Sequence, residues 1–244
     1  MGSALPGRAS AADGIVVFRS GSAIAVSYNA APMRELKSDL FGTVHIDGDR
    51  GRDFVVRDTA AARWWTGWIA RLLCRREARA LARLDGLPGT PRLLESGRGT
   101  LKRDWIEGRP MQVAQPQNAG YYQAARALVA RLHRRGVAHN DLAKEPNWLV
   151  TPAGNPAIVD FQLAWVAPRR GCFFRALARE DLRHLLKHKR RYCPERLTAR
   201  ERRILATPAP LSRLWMAGVK PAYTFLTRRI FRWADREGAG DRRY

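Results

Sequence analysis

Asp141, Asn147 and Asp160 bring two carboxylates and a carboxamide into residues 141–160 of a 244-residue chain. Oxygen donors of this kind suit a hard divalent cation, and a carboxylate beside them can orient or deprotonate a hydroxyl. Together those are the requirements of phosphoryl transfer. Local sequence suggests how they are positioned. Tyr121, Tyr122, Ala125, Leu128, Val129 and Leu132 recur at helical spacing, and Gly136 follows Arg134 and Arg135 where a left-handed cap would end that helix. A short loop then carries His139 and Asp141. Two apolar runs follow, Trp148-Leu149-Val150 and Ala157-Ile158-Val159, joined by Thr151-Pro152-Ala153-Gly154-Asn155-Pro156, which predicts a hairpin. Each candidate side chain therefore sits where a regular element meets a loop.

His139-Asn140-Asp141-Leu142, Asn147 and Asp160-Phe161-Gln162 resemble the catalytic and metal-binding loops of the protein-kinase-like superfamily, His-Arg-Asp-Leu…Asn…Asp-Phe-Gly. Within it the stretch looks most like the small atypical RIO-type serine/threonine kinases and the bacterial lipopolysaccharide core sugar kinases. The resemblance implies an α+β, two-lobed fold with ATP and Mg²⁺ as cofactors. A flexible tail would span 1–14, a small β-rich lobe with one long helix 15–107, and a mainly helical lobe 108–244. It implies Asp141 as the group acting on the acceptor hydroxyl, Asn147 and Asp160 as metal ligands, and Lys144 as a cation near the transferring phosphoryl group. Gly42, in Phe41-Gly42-Thr43-Val44, looks like the end of a glycine-rich loop. Arg57 falls where kinases carry the phosphate-holding lysine, and Glu77, twenty positions later, fits its helix partner. Asp104-Trp105-Ile106-Glu107-Gly108 looks like the hinge, with a lobe boundary near Glu107, and Met111 to Gly120 reads as a linker.

Four departures accompany the match. Arg57 replaces lysine, keeping the charge on a longer, planar group. Lys37 and Asp39 occupy the other glycine positions of the loop. Asp141 and Asn147 are one position farther apart than usual, an insertion beside Glu145-Pro146. Gln162 replaces the glycine that would hinge Phe161.

Composition narrows the partners. The net charge is +22, and six of the 44 basic residues are lysine, the rest arginine. Arginine forks grip phosphate and carboxylate, so an anionic partner is expected: nucleotide, phospholipid, phosphorylated sugar or nucleic acid. The nucleic-acid reading rests on charge alone, without a recognition motif, and ranks last. Three dispersed cysteines give no disulfide framework, and no signal peptide or membrane-spanning run is visible, which suits a cytoplasmic or peripheral protein. Residues 63–73 place three tryptophans among arginines at helical spacing. That describes either an interfacial helix on an anionic membrane or a helix packed on the body of the protein. A short hairpin at 15–26 and a helical pair at 211–233 complete the expected elements. The reading is an ATP- and Mg²⁺-dependent kinase with a protein or anionic glycolipid hydroxyl as acceptor, set against a non-catalytic scaffold.

Overall fold

The computed structural model describes residues 34–40, 42–49 and 52–207. The expected tail, the hairpin at 15–26, Phe41 and the helical pair at 211–233 lie outside them.

Five strands form one antiparallel sheet: β1 (Arg34–Asp39), β2 (Gly42–Asp49), β3 (Arg52–Asp58), β4 (Leu93–Ser96) and β5 (Thr100–Asp104), in the order β1-β2-β3-β5-β4. Opposite residues of an antiparallel pair share a face. The pairings Val55↔Arg103 and Arg57↔Leu101 therefore direct those four side chains to one side of the sheet. Against this side lies the one long helix of the region, α1 (Gly67–Arg83), which turns Ala70, Cys74, Glu77, Ala80 and Leu81 inward. Its start is fastened to the β1–β2 turn, where the Thr66 hydroxyl donates to the Leu40 carbonyl.

The helical region begins with β6 (Arg109–Pro110), a single turn α2 (Met111–Ala114), and α3 (Ala119–Arg134). The expected linker is thus partly structural, since Met111 is fully buried in the core. Asn118 caps α3 by accepting from the Gly120 amide at 2.8 Å. Gly136 ends it at φ +75°, and a Cβ there would meet the Ala167 carbonyl oxygen at 2.8 Å, so both backbone and space demand glycine. After β7 (Val137–Ala138), β8 (Trp148–Val150) and β9 (Pro156–Ile158) form the expected hairpin, with β6 on its outer edge. β10 (Trp165–Val166) pairs with β7. α4 (Cys172–Tyr192) and α5 (Ala199–Ala206) follow.

One apolar core joins the parts. Leu81 and Leu84 meet Leu128 and Leu132 of α3, Trp148 and Ile158 of the hairpin, Phe161, and Leu185 of α4. Burial of such side chains, at roughly 1.5–3 kcal/mol each, fixes the hairpin and its flanking loops against three helices. Among the described residues no helix is long and apolar enough to cross a membrane.

Candidate active site

The loop between β7 and β8 is held from several directions. Asp181 of α4, fully buried, accepts from the backbone amides of His139 at 2.8 Å and Asn140 at 2.9 Å, and contacts His133 Nε2 at 3.0 Å. His139 lies 4.6 Å from the Phe161 ring, donates through Nε2 to the Val159 carbonyl at 3.0 Å, and accepts the Asp141 amide on Nδ1. Those two contacts require its proton on Nε2. The Leu142 carbonyl accepts from Trp148 Nε1 at 3.1 Å and His188 Nε2 at 2.8 Å. Glu145 is tied to α4 as well, accepting from Arg191 and from the Tyr192 hydroxyl, both at 2.8 Å.

Within this frame Asp141 Oδ2 lies 3.1 Å from Lys144 Nζ and accepts from Asn147 Nδ2 at 3.1 Å. The same amide donates to the Asp141 carbonyl at 2.9 Å. With Nδ2 engaged in this way, the Asn147 carbonyl oxygen is the atom left to act as a ligand. The Val159 amide donates to the Asn147 carbonyl of the main chain at 3.0 Å, which sets Asp160 one residue from Asn147's strand partner. Asp160 sits at φ +65°, a left-handed conformation that aspartate tolerates better than most residues. Gln162 Nε2 donates to its Oδ1 at 2.7 Å, so the residue in the glycine position braces the carboxylate.

Across from it, Arg57 NH2 reaches to 3.9 Å from Asp160 Oδ1 while Arg57 Nε stands 3.2 Å from Glu77 Oε2. Sequence reasoning missed the fourth member. Arg103, seen there only as part of a strand, brings its Nε to 3.3 Å from Glu77 Oε1. Neither Glu77 oxygen has an aligned hydrogen-bond donor, so charge proximity rather than directed bonding holds the group. Burial pushes the Glu77 carboxyl up from its ordinary value, against the pull of Arg57 and then Arg103. Burial also raises Asp160, but Arg57 and the Gln162 hydrogen bond outweigh it and hold the carboxyl below its ordinary range. An ionised carboxylate with its side chain 33% exposed and the amide oxygen of Asn147, whose main chain binds the residue before Asp160, are donor types that fit Mg²⁺.

Two expected positions join less closely. Gly42, at φ +119°, begins β2, and its missing Cβ leaves room for the Asp58 carbonyl, which a side chain would meet at 2.1 Å. Close approach of β3 therefore accounts for this glycine. Glu107 is exposed, in the coil between β5 and β6. Asp181 and Glu145 were also missed as functional residues; an aspartate on the buried stripe of α4, seven residues after Phe174, was the available signal.

No protein-family model and no curated protein matches the chain. Among solved structures it is similar to the Rio2 kinase from Chaetomium thermophilum, with 17% identity and a TM-score of 0.54 over 78% of this chain and 68% of that one. The Rio2 kinase–ADP/Mg²⁺–phosphoaspartate complex from the same organism gives a TM-score of 0.50 at 17% identity, covering 83% and 67%. The chain therefore has a two-lobed protein-kinase-like fold related to that of the RIO kinases.

Proposed function

We propose that the protein is an ATP- and Mg²⁺-dependent phosphotransferase of the RIO-like serine/threonine kinase type, passing the γ-phosphoryl group to a hydroxyl. The observation that carries this is a pair of contact runs, Lys144–Asp141–Asn147 and Asp160–Arg57–Glu77, joined by the backbone bond from Val159, the residue before Asp160, to Asn147. The ADP and Mg²⁺ in the Rio2 complex support the choice of cofactors.

In this reading Asp141 accepts the hydroxyl's hydrogen bond and then its proton, with Lys144 paired to the carboxylate and near the incoming phosphoryl oxygens. Asn147 and Asp160 would hold the metal through oxygen, and a bound Mg²⁺ would offset charge developing on the phosphates. Arg57, aimed by Glu77, grips phosphate oxygens, and Gly42 and Glu107 keep the nucleotide-side roles that only the resemblance implies for them. A seryl or threonyl hydroxyl is the first acceptor. An anionic glycolipid is the second, favoured by the basic, tryptophan-bearing face of α1. A cytoplasmic location suits either acceptor.

A non-catalytic scaffold is the competing reading, favoured by one observation: Arg57 bridges Glu77 and Asp160, so protein carboxylates engage the guanidinium that would otherwise grip phosphate. Phosphate release from ATP with Mg²⁺, measured for the parent, Asp160→Ala and Asp141→Asn, separates them. Turnover in the parent that falls by about 10²–10⁴ in the variants supports the kinase. Equal background rates in all three would leave only the scaffold.

A further inference from the structure

The helix expected either to lie on an anionic membrane or to pack on the body of the protein presents apolar side chains in both directions. Ala70, Cys74, Glu77, Ala80 and Leu81 meet the body of the protein, whereas Trp68 is 64% exposed and Leu72 49%, and Trp64, in the turn that leads into the helix, is 93% exposed. Trp65, Ile69 and Leu73 lie half-buried between the two faces. Arg71, Arg75 and Arg79 are also exposed, and at 3.6 residues per turn they fall with Trp68 and Leu72 inside an arc of about 100°. Arg63 is exposed just ahead of the helix. The only carboxylate in residues 63–83 is Glu77, which is fully buried, so this segment itself adds no exposed negative charge.

Water is a poor solvent for two indole rings and an isobutyl group side by side, and a structural helix has no need of them. Charge selects the occupant. A second copy of this face would oppose arginines with arginines. The chain's own segment 208–244 carries eight basic and three acidic residues, so it too is a poor electrostatic complement. An anionic surface that also offers an apolar layer satisfies both kinds of side chain.

We infer that the outer face of α1 docks on an anionic phospholipid bilayer. The Trp64 and Trp68 rings sit at headgroup depth with Leu72 beside them, and Arg71, Arg75 and Arg79 pair with lipid phosphates. The surface is continuous with the β1–β2 turn through the Thr66–Leu40 bond, so docking brings that edge of the sheet close to the membrane. This inference does not depend on phosphoryl transfer, and its measurement contains no nucleotide.

The test is flotation of the full chain with vesicles of equimolar phosphatidylcholine and phosphatidylglycerol, and with phosphatidylcholine alone. Binding to the mixed vesicles is expected, and it should weaken with added salt. Trp64→Ser combined with Trp68→Ser should lower partitioning by about tenfold. Arg71→Gln and Arg75→Gln should each lower it about fivefold. All four side chains are exposed, so thermal melting should stay at the parent value. Failure of the parent to float with the mixed vesicles overturns the inference, as does unchanged partitioning of both sets of variants. The emission difference between the parent and Trp64→Phe without vesicles supplies a separate check. A water-exposed indole supports the docking surface; a shielded one means that this chain or a second copy already covers it, and overturns the proposal.

Discussion

Removing Arg103 tests the charge cluster most directly, because Glu77 is its one ion pair within 4.0 Å among the described residues and its side chain is 11% exposed. Glu77 is fully buried between two guanidiniums, at 3.2 Å from Arg57 and 3.3 Å from Arg103. Two unit charges at that separation attract by about 5 kcal/mol at an effective dielectric near 20. Breaking a buried pair usually costs about 3–5 kcal/mol. Arg57 remains to offset part of the Glu77 charge, so Arg103→Leu should cost about 2–4 kcal/mol. For a folded region of this size, a loss near the middle of that range corresponds to a drop in melting temperature of about 6–12 °C. Glu77→Gln leaves two guanidiniums without their shared anion and should cost about 3–5 kcal/mol. Once Glu77 is gone, removing Arg103 relieves repulsion. The double variant should therefore be more stable than the sum of the single losses by at least about 1.5 kcal/mol. Urea denaturation of the four proteins at neutral pH measures the cycle, and moderate salt should change the coupling little because the groups are buried. Losses additive to within about 0.5 kcal/mol would show that proximity here carries no energetic coupling, and the account of the cluster would be wrong.

Three further outcomes follow from the geometry. Asp181→Ala removes the acceptor of the His139 and Asn140 amides, leaving buried donors unpaired at about 1–3 kcal/mol each; urea denaturation should show the loss, and turnover should fall in parallel. Gly136→Ala should destabilise by about 1–3 kcal/mol through left-handed strain and contact with Ala167, measured by thermal melting. Burial, with the nearby Lys187 charge, pushes the His184 imidazole down to about 4 from an ordinary value of 6.5. Its unfolded form therefore takes up protons first, and stability should fall as pH drops from about 6.5 to about 4, by up to about 3 kcal/mol. His184→Gln should flatten that part of the pH–stability profile in urea titrations; an unchanged slope would assign the acid loss to other groups.

Local rules made much of the fold legible in the amino-acid sequence. The β8–β9 hairpin, the Gly136 cap and α3 rest on them, because turn chemistry, left-handed glycine and helical spacing are properties of neighbouring residues. The separation between Arg57 and Glu77 was readable only through resemblance, which supplied the idea that a strand residue meets a helix residue. Arg103 escaped because its role depends on β3–β5 register and on the placement of α1, neither of which its own neighbours encode. A charged residue alternating with Leu101 on the inward side of a strand was the clue available. Met111 escaped for a related reason. The surrounding prolines and glutamines suggested a linker, while tertiary packing put this one side chain into the core. The outward turn of Trp64, Trp68 and Leu72 was equally unreadable, since periodicity shows that a helix has an apolar side and leaves open how wide an arc its neighbours cover.

Glu145 and Asp181 fasten opposite ends of one loop to one helix, α4. Such a loop behaves as an outgrowth of that helix and moves only when the helix does. Under the proposed phosphotransferase function, an acceptor entering the cleft would meet a rigid template, and discrimination among hydroxyls would have to come from shape and charge already in place. Engineering a new acceptor preference would accordingly start from the side chains that border the loop, leaving its two anchors untouched.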